Sequence, residues 1–246
     1  MKRAWAFSCI LALSAILDGC GKDGSRNATQ EPASSASEAS APLGRQSDAV
    51  ALLTSTADSH PDLIAPRLAL SRLHASMGAI DAAIADVSGI VSQHPEESAA
   101  LEQLASIFAD VGDADRLGAV VAALSRHAER PGTAYYTAAH HFLRGELDPA
   151  LAAAQRAIAL DPRFARAQNL VGAIYATRGD TASARKAFEA SLVLDSQDPA
   201  TYQNLALLEL NTGNAANAAR LFGEALSLDP SSDGARQGLA RARAAL

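Results

Sequence analysis

Apolar and polar positions alternate with a helical period through most of this chain, and the pattern is clearest from Ala165 to Ser196. Leu170, Val171, Ile174 and Tyr175 fall on one face of a helix, then Ala184, Ala187, Phe188, Ser191 and Leu192 fall on one face of a second. Between them stands Arg178-Gly179-Asp180. A glycine there supplies the left-handed conformation that ends the first helix. Asp180 and Thr181 then offer side-chain oxygens to the unpaired N–H groups that open the second. The stretch therefore predicts a helix–turn–helix hairpin.

The same hairpin recurs. Turn glycines stand at Gly78, Gly112, Gly145, Gly179 and Gly213, spaced by 34, 33, 34 and 34 residues. Seven residues before each glycine come Ser71, Ala105, Ala138, Gly172 and Ala206, all small, as a close helix crossing requires. Four before come His74, Phe108, His141, Tyr175 and Glu209, mostly bulky. Nine after come Val87, Val121, Ala154, Phe188 and Phe222, and seventeen after, where the second helix must stop, Pro95, Glu129, Pro162, Ser196 and Pro230. Five units of this period and pattern resemble the tetratricopeptide repeat over roughly residues 64–232. The large aromatic expected early in the first helix stands only at Tyr202; Arg67, Leu101, Ala134 and Gln168 hold that column elsewhere. The resemblance implies an all-α fold, a right-handed superhelix (an α-solenoid) of units 64–97, 98–130, 131–164, 165–198 and 199–232, with an inner groove lined by first helices. Each unit would bury its apolar stripe only against its neighbours.

The flanks read differently. Residues 47–63 match a lone second helix, with Ser47 as its cap and Val50, Leu52 and Leu53 as its apolar members, in register as an N-terminal capping helix. Residues 233–246 match a C-terminal capping helix, with Leu239 and Leu246 inward and Arg236, Arg241 and Arg243 outward. Residues 20–46 are Ser, Ala, Glu and Pro with little to bury, a composition expected of a disordered linker. Its ends would average about 25–30 Å apart.

The first residues carry an address. Lys2 and Arg3 precede an apolar run, Ala4 to Leu17, shorter than the roughly 20 residues that cross a bilayer. The run closes on Leu17-Asp18-Gly19-Cys20, which resembles the lipobox of bacterial lipoproteins, although Asp18 replaces the small residue usual there. That resemblance implies a signal peptide over 1–19, lipidation of Cys20, and anchoring by acyl chains (palmitate among them). Gly21 rather than Asp follows the cysteine, and by the sorting rule of enteric bacteria this favours the outer membrane, facing the periplasm. The alternative is an ordinary secretory signal.

Composition narrows the function. Formal net charge is −6, and no basic face of the kind that tracks phosphates is present, so no nucleic acid is expected as partner. The two cysteines, Cys9 and Cys20, lie outside the repeats. No glycine-rich phosphate loop, GxSxG, HExxH or CxxC occurs. Asp110, Asp113 and Asp115 fall on a turn, where carboxylates favour the following helix N-terminus. His140 and His141 are adjacent and point about 100° apart on a helix, and His141, like His74, holds the bulky packing column. No catalytic residue, no metal site and no cofactor are expected, hence no enzyme.

Binding remains. In the tetratricopeptide family the groove is lined by residues ten, six, three and two before the turn glycine. The lysine-bearing clamp of chaperone-tail receptors is missing at those places. In repeats three to five the positions supply Tyr135, Phe142, Leu143, Leu207 and Leu210 as anchors, while Asn169, Gln203 and Asn204 could hydrogen-bond an extended backbone. Phe142 and Leu143 could equally pack against the next repeat. The expectation is a lipid-anchored protein–protein interaction scaffold with a protein or peptide partner on its concave face, as in a type IV pilus pilotin-like assembly factor or a cell-wall or exopolysaccharide adaptor. The alternative is a soluble periplasmic peptide- or lipid-binding module without an anchor. The sequence leaves the oligomeric state open.

Overall fold

The computed structural model describes residues 36–246. The signal segment, Cys20 and the first part of the linker lie outside them. The described residues form twelve helices and no strand. They are α1 (Ala36–Ser59), α2 (Ile64–Ser76), α3 (Ile80–Gln93), α4 (Ser98–Asp110), α5 (Ala114–Leu124), α6 (Pro131–Leu143), α7 (Leu147–Leu160), α8 (Ala165–Arg178), α9 (Thr181–Leu194), α10 (Pro199–Asn211), α11 (Ala215–Leu228) and α12 (Asp233–Ala244). The repeat units expected from the glycine spacing each hold one helix pair, α2–α3 through α10–α11. The fold is an all-α solenoid.

All five turn glycines have positive φ, between 72° and 85°. In each turn the residue after the glycine donates its backbone N–H to the carbonyl four residues before the glycine: Ala79 to His74, Asp113 to Phe108, Glu146 to His141, Asp180 to Tyr175 and Asn214 to Glu209, at 2.8–2.9 Å except 3.0 Å for Asp180. This six-to-one bond closes the first helix and satisfies a carbonyl that would otherwise be orphaned. Asp113 and Asp180 then cap the second helices, accepting from the amides of Arg116 at 2.9 Å and Ser183 at 3.0 Å. The acidic turn of the second repeat is thus a cap.

The chain divides into two compact units, residues 108–246 and, of the preceding part, 36–107. In the smaller one, α2 packs on α1 and on α3. The Ser71 hydroxyl, in the small-residue column, donates to the Ala83 carbonyl at 2.8 Å, so that crossing is sealed by a hydrogen bond as well as by size. Helix α1 begins at Ala36, well before Ser47, so residues 36–46 of the expected linker are helical and Ser47 caps nothing. Ala36, Glu38, Ala39 and Ala41 favour that helix, whereas Pro42 and Gly44 within it do not. Its buried stripe runs through the half-buried Leu53 to Ala57, while Leu52 faces solvent.

In the larger unit each hairpin closes on itself and each second helix packs on the next first helix. The core runs through Phe142, Ile174, Phe188, Leu208 and Phe222. Small residues admit the large ones: a Cβ on Gly172 would lie 2.5 Å from the Phe188 ring, and one on Gly238 2.3 Å from the Phe222 ring. Helix α12 therefore seats Gly238 on Phe222, with Ala235 and Ala242 also buried. Leu239 is half-buried as expected, but Leu246 is 77% exposed, because the helix stops at Ala244 before that position can turn inward. Arg236, Arg241 and Arg243 face solvent.

First helices also meet one another: α6 touches α8, and α8 touches α10. This brings their matching faces into one wall.

Candidate protein-binding face

The wall gets its chemistry from helical spacing. On α6, Tyr135, Ala139, Phe142 and Leu143 stand at intervals that share a face, and on α8 so do Arg166, Asn169, Leu170 and Ala173. With Ala109 and Asp110 from the last turn of α4 and Asn204 from α10, these side chains line a recess of about 70 Å³. Its floor is small because Ala139 and Ala173 occupy equivalent places in successive repeats. Of the eight groove residues expected from the sequence, five come together here: Tyr135, Phe142, Leu143, Asn169 and Asn204.

The other three lie elsewhere. Gln203 is buried, and its Nε2 donates to the Ser232 hydroxyl at 2.8 Å, so this amide ties α10 to the start of α12 and is not offered to a ligand. Leu207 and Leu210 are half-buried against the core of the last repeats and do not border the recess. The Gln203 outcome follows from the end of the array, where the start of α12 covers a side chain that the repeat pattern alone leaves open. Phe142 both packs in the core and lines the recess, so the two readings of that residue hold together.

Arg166 is the feature that column spacing missed. It lies thirteen residues before its turn glycine, but helix side chains lean toward the N-terminus, which carries the guanidinium across to α6. Its Cζ sits 4.8 Å from the centroid of the Tyr135 ring, a cation–π contact. Tyr135 is braced in turn by Tyr136 and Phe164, ring centroids 5.1 and 5.3 Å away. Attraction to Tyr135 holds the Arg166 pKa above the ordinary arginine value, with burial opposing. Burial pushes the Tyr135 phenol above its usual range. The rim therefore presents the Arg166 cation, the Tyr135 phenol and the Asp110 carboxylate, whose charge also favours ionised Arg166.

Across the recess floor, Asn204 Nδ2 donates to Asn169 Oδ1 at 3.0 Å. Asn204 is only 6% exposed, and its Oδ1 has no partner. A larger hollow of about 200 Å³ lies between the α5–α6 link, α6 and α7. Two of its hydroxyls are engaged: Ser125 and Thr137 donate to the carbonyls of Val121 and Thr133 at 2.8 Å, and Arg156 pairs with Glu129 at its edge. Asn204, whose buried Oδ1 lacks a partner, lines the recess and not the hollow.

The histidines have structural roles. His141 Nδ1 is 2.6 Å from Glu146 Oε2 and His74 Nδ1 is 2.7 Å from Asp86 Oδ2. His140 Nε2 lies where a Cβ on Gly118 would approach to 2.7 Å, and burial lowers its pKa, aided by His141. Among the described residues no three His, Cys, Asp or Glu side chains gather as a metal site would require.

Comparison with known proteins agrees with this architecture. A family model for the tetratricopeptide repeat matches residues 199–232, the fifth helix pair. Among solved structures the chain is similar to a tetratricopeptide repeat protein from Parabacteroides merdae, with a TM-score of 0.72 and 17% identity over 82% of this chain and 79% of that one. It is also similar to TTC0263, a thermophilic TPR protein of Thermus thermophilus (0.63, 22%, 74% and 100%). A third is a chain of the APC/C hetero-tetramer Cut9–Hcn1 (0.66, 17%, 81% and 40%), whose length this chain spans by less than half. At these identities the likeness is one of fold. No curated protein matches the sequence.

Proposed function

We propose that this chain, a protein of tetratricopeptide repeats, is a non-catalytic scaffold that holds a partner protein on the face made by α6, α8 and α10. One observation carries the reading. The recess joins an apolar floor, a rim of Tyr135, Arg166 and Asp110, and the hydrogen-bonded amides of Asn204 and Asn169. That combination serves recognition. Affinity would come from a few desolvated contacts around Tyr135, Phe142 and Leu143. One structural neighbour is a chain of a hetero-tetramer, Cut9–Hcn1, and a role in holding a partner is in keeping with that.

The scaffold is held in the bacterial envelope through Cys20. The charged start, short apolar run and Leu17-Asp18-Gly19-Cys20 carry this half of the reading, and Gly21 favours the outer membrane. Acyl chains would bind the chain to lipid, since one chain alone gives only marginal anchoring and several give a stable one. Roles as a pilotin-like assembly factor or as an adaptor of wall or exopolysaccharide machinery both suit a tethered scaffold.

Two measurements test the reading. Alkyne-palmitate labelling with membrane fractionation should place label and chain in the membrane, and Cys20→Ala should release both. An unlabelled, soluble wild type leaves the unanchored binding module instead. Crosslinked purification of the tagged chain should recover a partner that Leu143→Arg loses, and recovery undiminished by that change contradicts the assigned face.

A further inference from the structure

We infer that the two ends of the array complete each other between copies. Helix α12 of one chain packs on α1 of a second chain, as the first and second helices of one composite repeat. None of the recess residues takes part.

Register points to this pairing. One period beyond the fifth repeat, α12 stands where a first helix would, with Ala240 in the small column and Arg243 in the bulky one. One period before the first repeat, α1 stands where a second helix would. Gly44 falls in the turn column, but α1 runs through it, so among the described residues no first helix precedes α1. A repeat buries its faces only against its neighbours, and these two helices each lack one. All five earlier members of the small column are buried, whereas Ala240 is exposed. The column of Leu52 holds Val120, Ala187 and Leu221, all buried, whereas Leu52 is 69% exposed.

The complete hairpins show which columns touch. The small column meets those of Ala83 and Phe188, for Ser71 donates to the Ala83 carbonyl and Gly172 lies under the Phe188 ring. The bulky column meets those of Asp86 and Arg116. There His74 Nδ1 is 2.7 Å from Asp86 Oδ2, and Arg116 Cζ is 4.7 Å from the centroid of the Phe108 ring. Carried to the ends of the array, the same register sets Ala240 against Ala49 and Leu53, and Arg243 between Leu52 and Asp48.

Charge runs in the same sense. Helix α12 carries Arg236, Arg241 and Arg243 against Asp233, and α1 carries Glu38, Asp48 and Asp58 against Arg45. Arg45, one turn from Asp48, and the pairing of Arg236 with Asp233 temper the attraction. Burial of Leu52 and Ala240 therefore supplies most of the affinity. The two surfaces are unlike, so the contact is heterologous and chains can add beyond two.

The test is sedimentation of the purified full chain, bearing Cys20→Ala so that acyl chains take no part. Its mean mass should rise with concentration past that of two chains. Ala240→Trp fills the close crossing, and Leu52→Arg sets a like charge beside Arg243. Each should weaken association about tenfold. Both sites face solvent in the single chain, so melting should not change. Mixed together, the two variants should form a dimer that grows no further. The Ala240→Trp chain keeps its α1 and the Leu52→Arg chain keeps its α12, so one sound contact remains. Arg243→Asp should weaken association about threefold, and Asp48→Arg in the same chain should restore it. A chain that stays monomeric at every concentration overturns the inference, as does association that neither Ala240→Trp nor Leu52→Arg diminishes. A mixture that fails to pair, or a charge swap that fails to restore, does the same. The recess reading survives each of these outcomes, because its residues are not touched.

Discussion

Arg185 on α9 donates from Nε to Glu209 Oε1 on α10 at 2.7 Å, and Glu209 is 2% exposed. Asn214 Nδ2 holds the other carboxylate oxygen at 2.8 Å. Burial alone would raise this acid, but the bonds from Arg185 and Asn214 outweigh it and hold its pKa below the ordinary 4.5. Arg185→Ala strands a buried charge with one partner fewer. It should cost about 2 kcal/mol, less than a fully enclosed pair because Arg185 is partly exposed. Glu209→Tyr, which restores the aromatic that Tyr175 provides one repeat earlier, should cost less. Urea unfolding of both variants decides the order.

The same pair sets an acid response. A depressed folded pKa contributes stability that is present above the unfolded value and lost as pH falls through the folded one. Wild type should lose this contribution below about pH 4.5, and Glu209→Gln should lose less over that range. Parallel unfolding curves for the two proteins down to acid pH would mean that Glu209 has no altered titration.

Gly172 admits Phe188. Alanine there would place a methyl group 2.5 Å from the ring, so Gly172→Ala should cost about 1–3 kcal/mol despite better helix propensity. Phe188→Leu in the same chain should recover part of that loss, and a double-mutant cycle that shows strict additivity would refute the clash.

Gln203 is a brace for the last helix. Gln203→Ala should speed amide exchange across Asp233–Ala244 while leaving α6 and α8 protected and partner binding intact. Lost binding with unaltered exchange would return Gln203 to the groove.

Much of this was legible in the residues. Glycine spacing located every hairpin turn, and the small column foretold the Gly172 crossing. What spacing could not reveal is who answers a polar residue in a packing column. His74 finds Asp86 on its own second helix, His141 finds Glu146 in its turn, and Glu209 finds Arg185 in the preceding repeat. Three unrelated offsets leave no common signature. Arg166 escaped because its stem crosses between helices, and Gln203 misled because α12 covers it. The early start of α1 had no clear signal, because residues 36–46 mix good helix formers with Pro42 and Gly44 and lack apolar bulk.

The central claim is that the partner sits against α6, α8 and α10. Photo-crosslinking residues placed one at a time at Leu143, beside the recess, and at Val193, 86% exposed on a second helix, compare two faces of the same molecule. In cells, position 143 should give a discrete partner adduct and position 193 none. Adducts from 193 alone, or from neither, contradict the account.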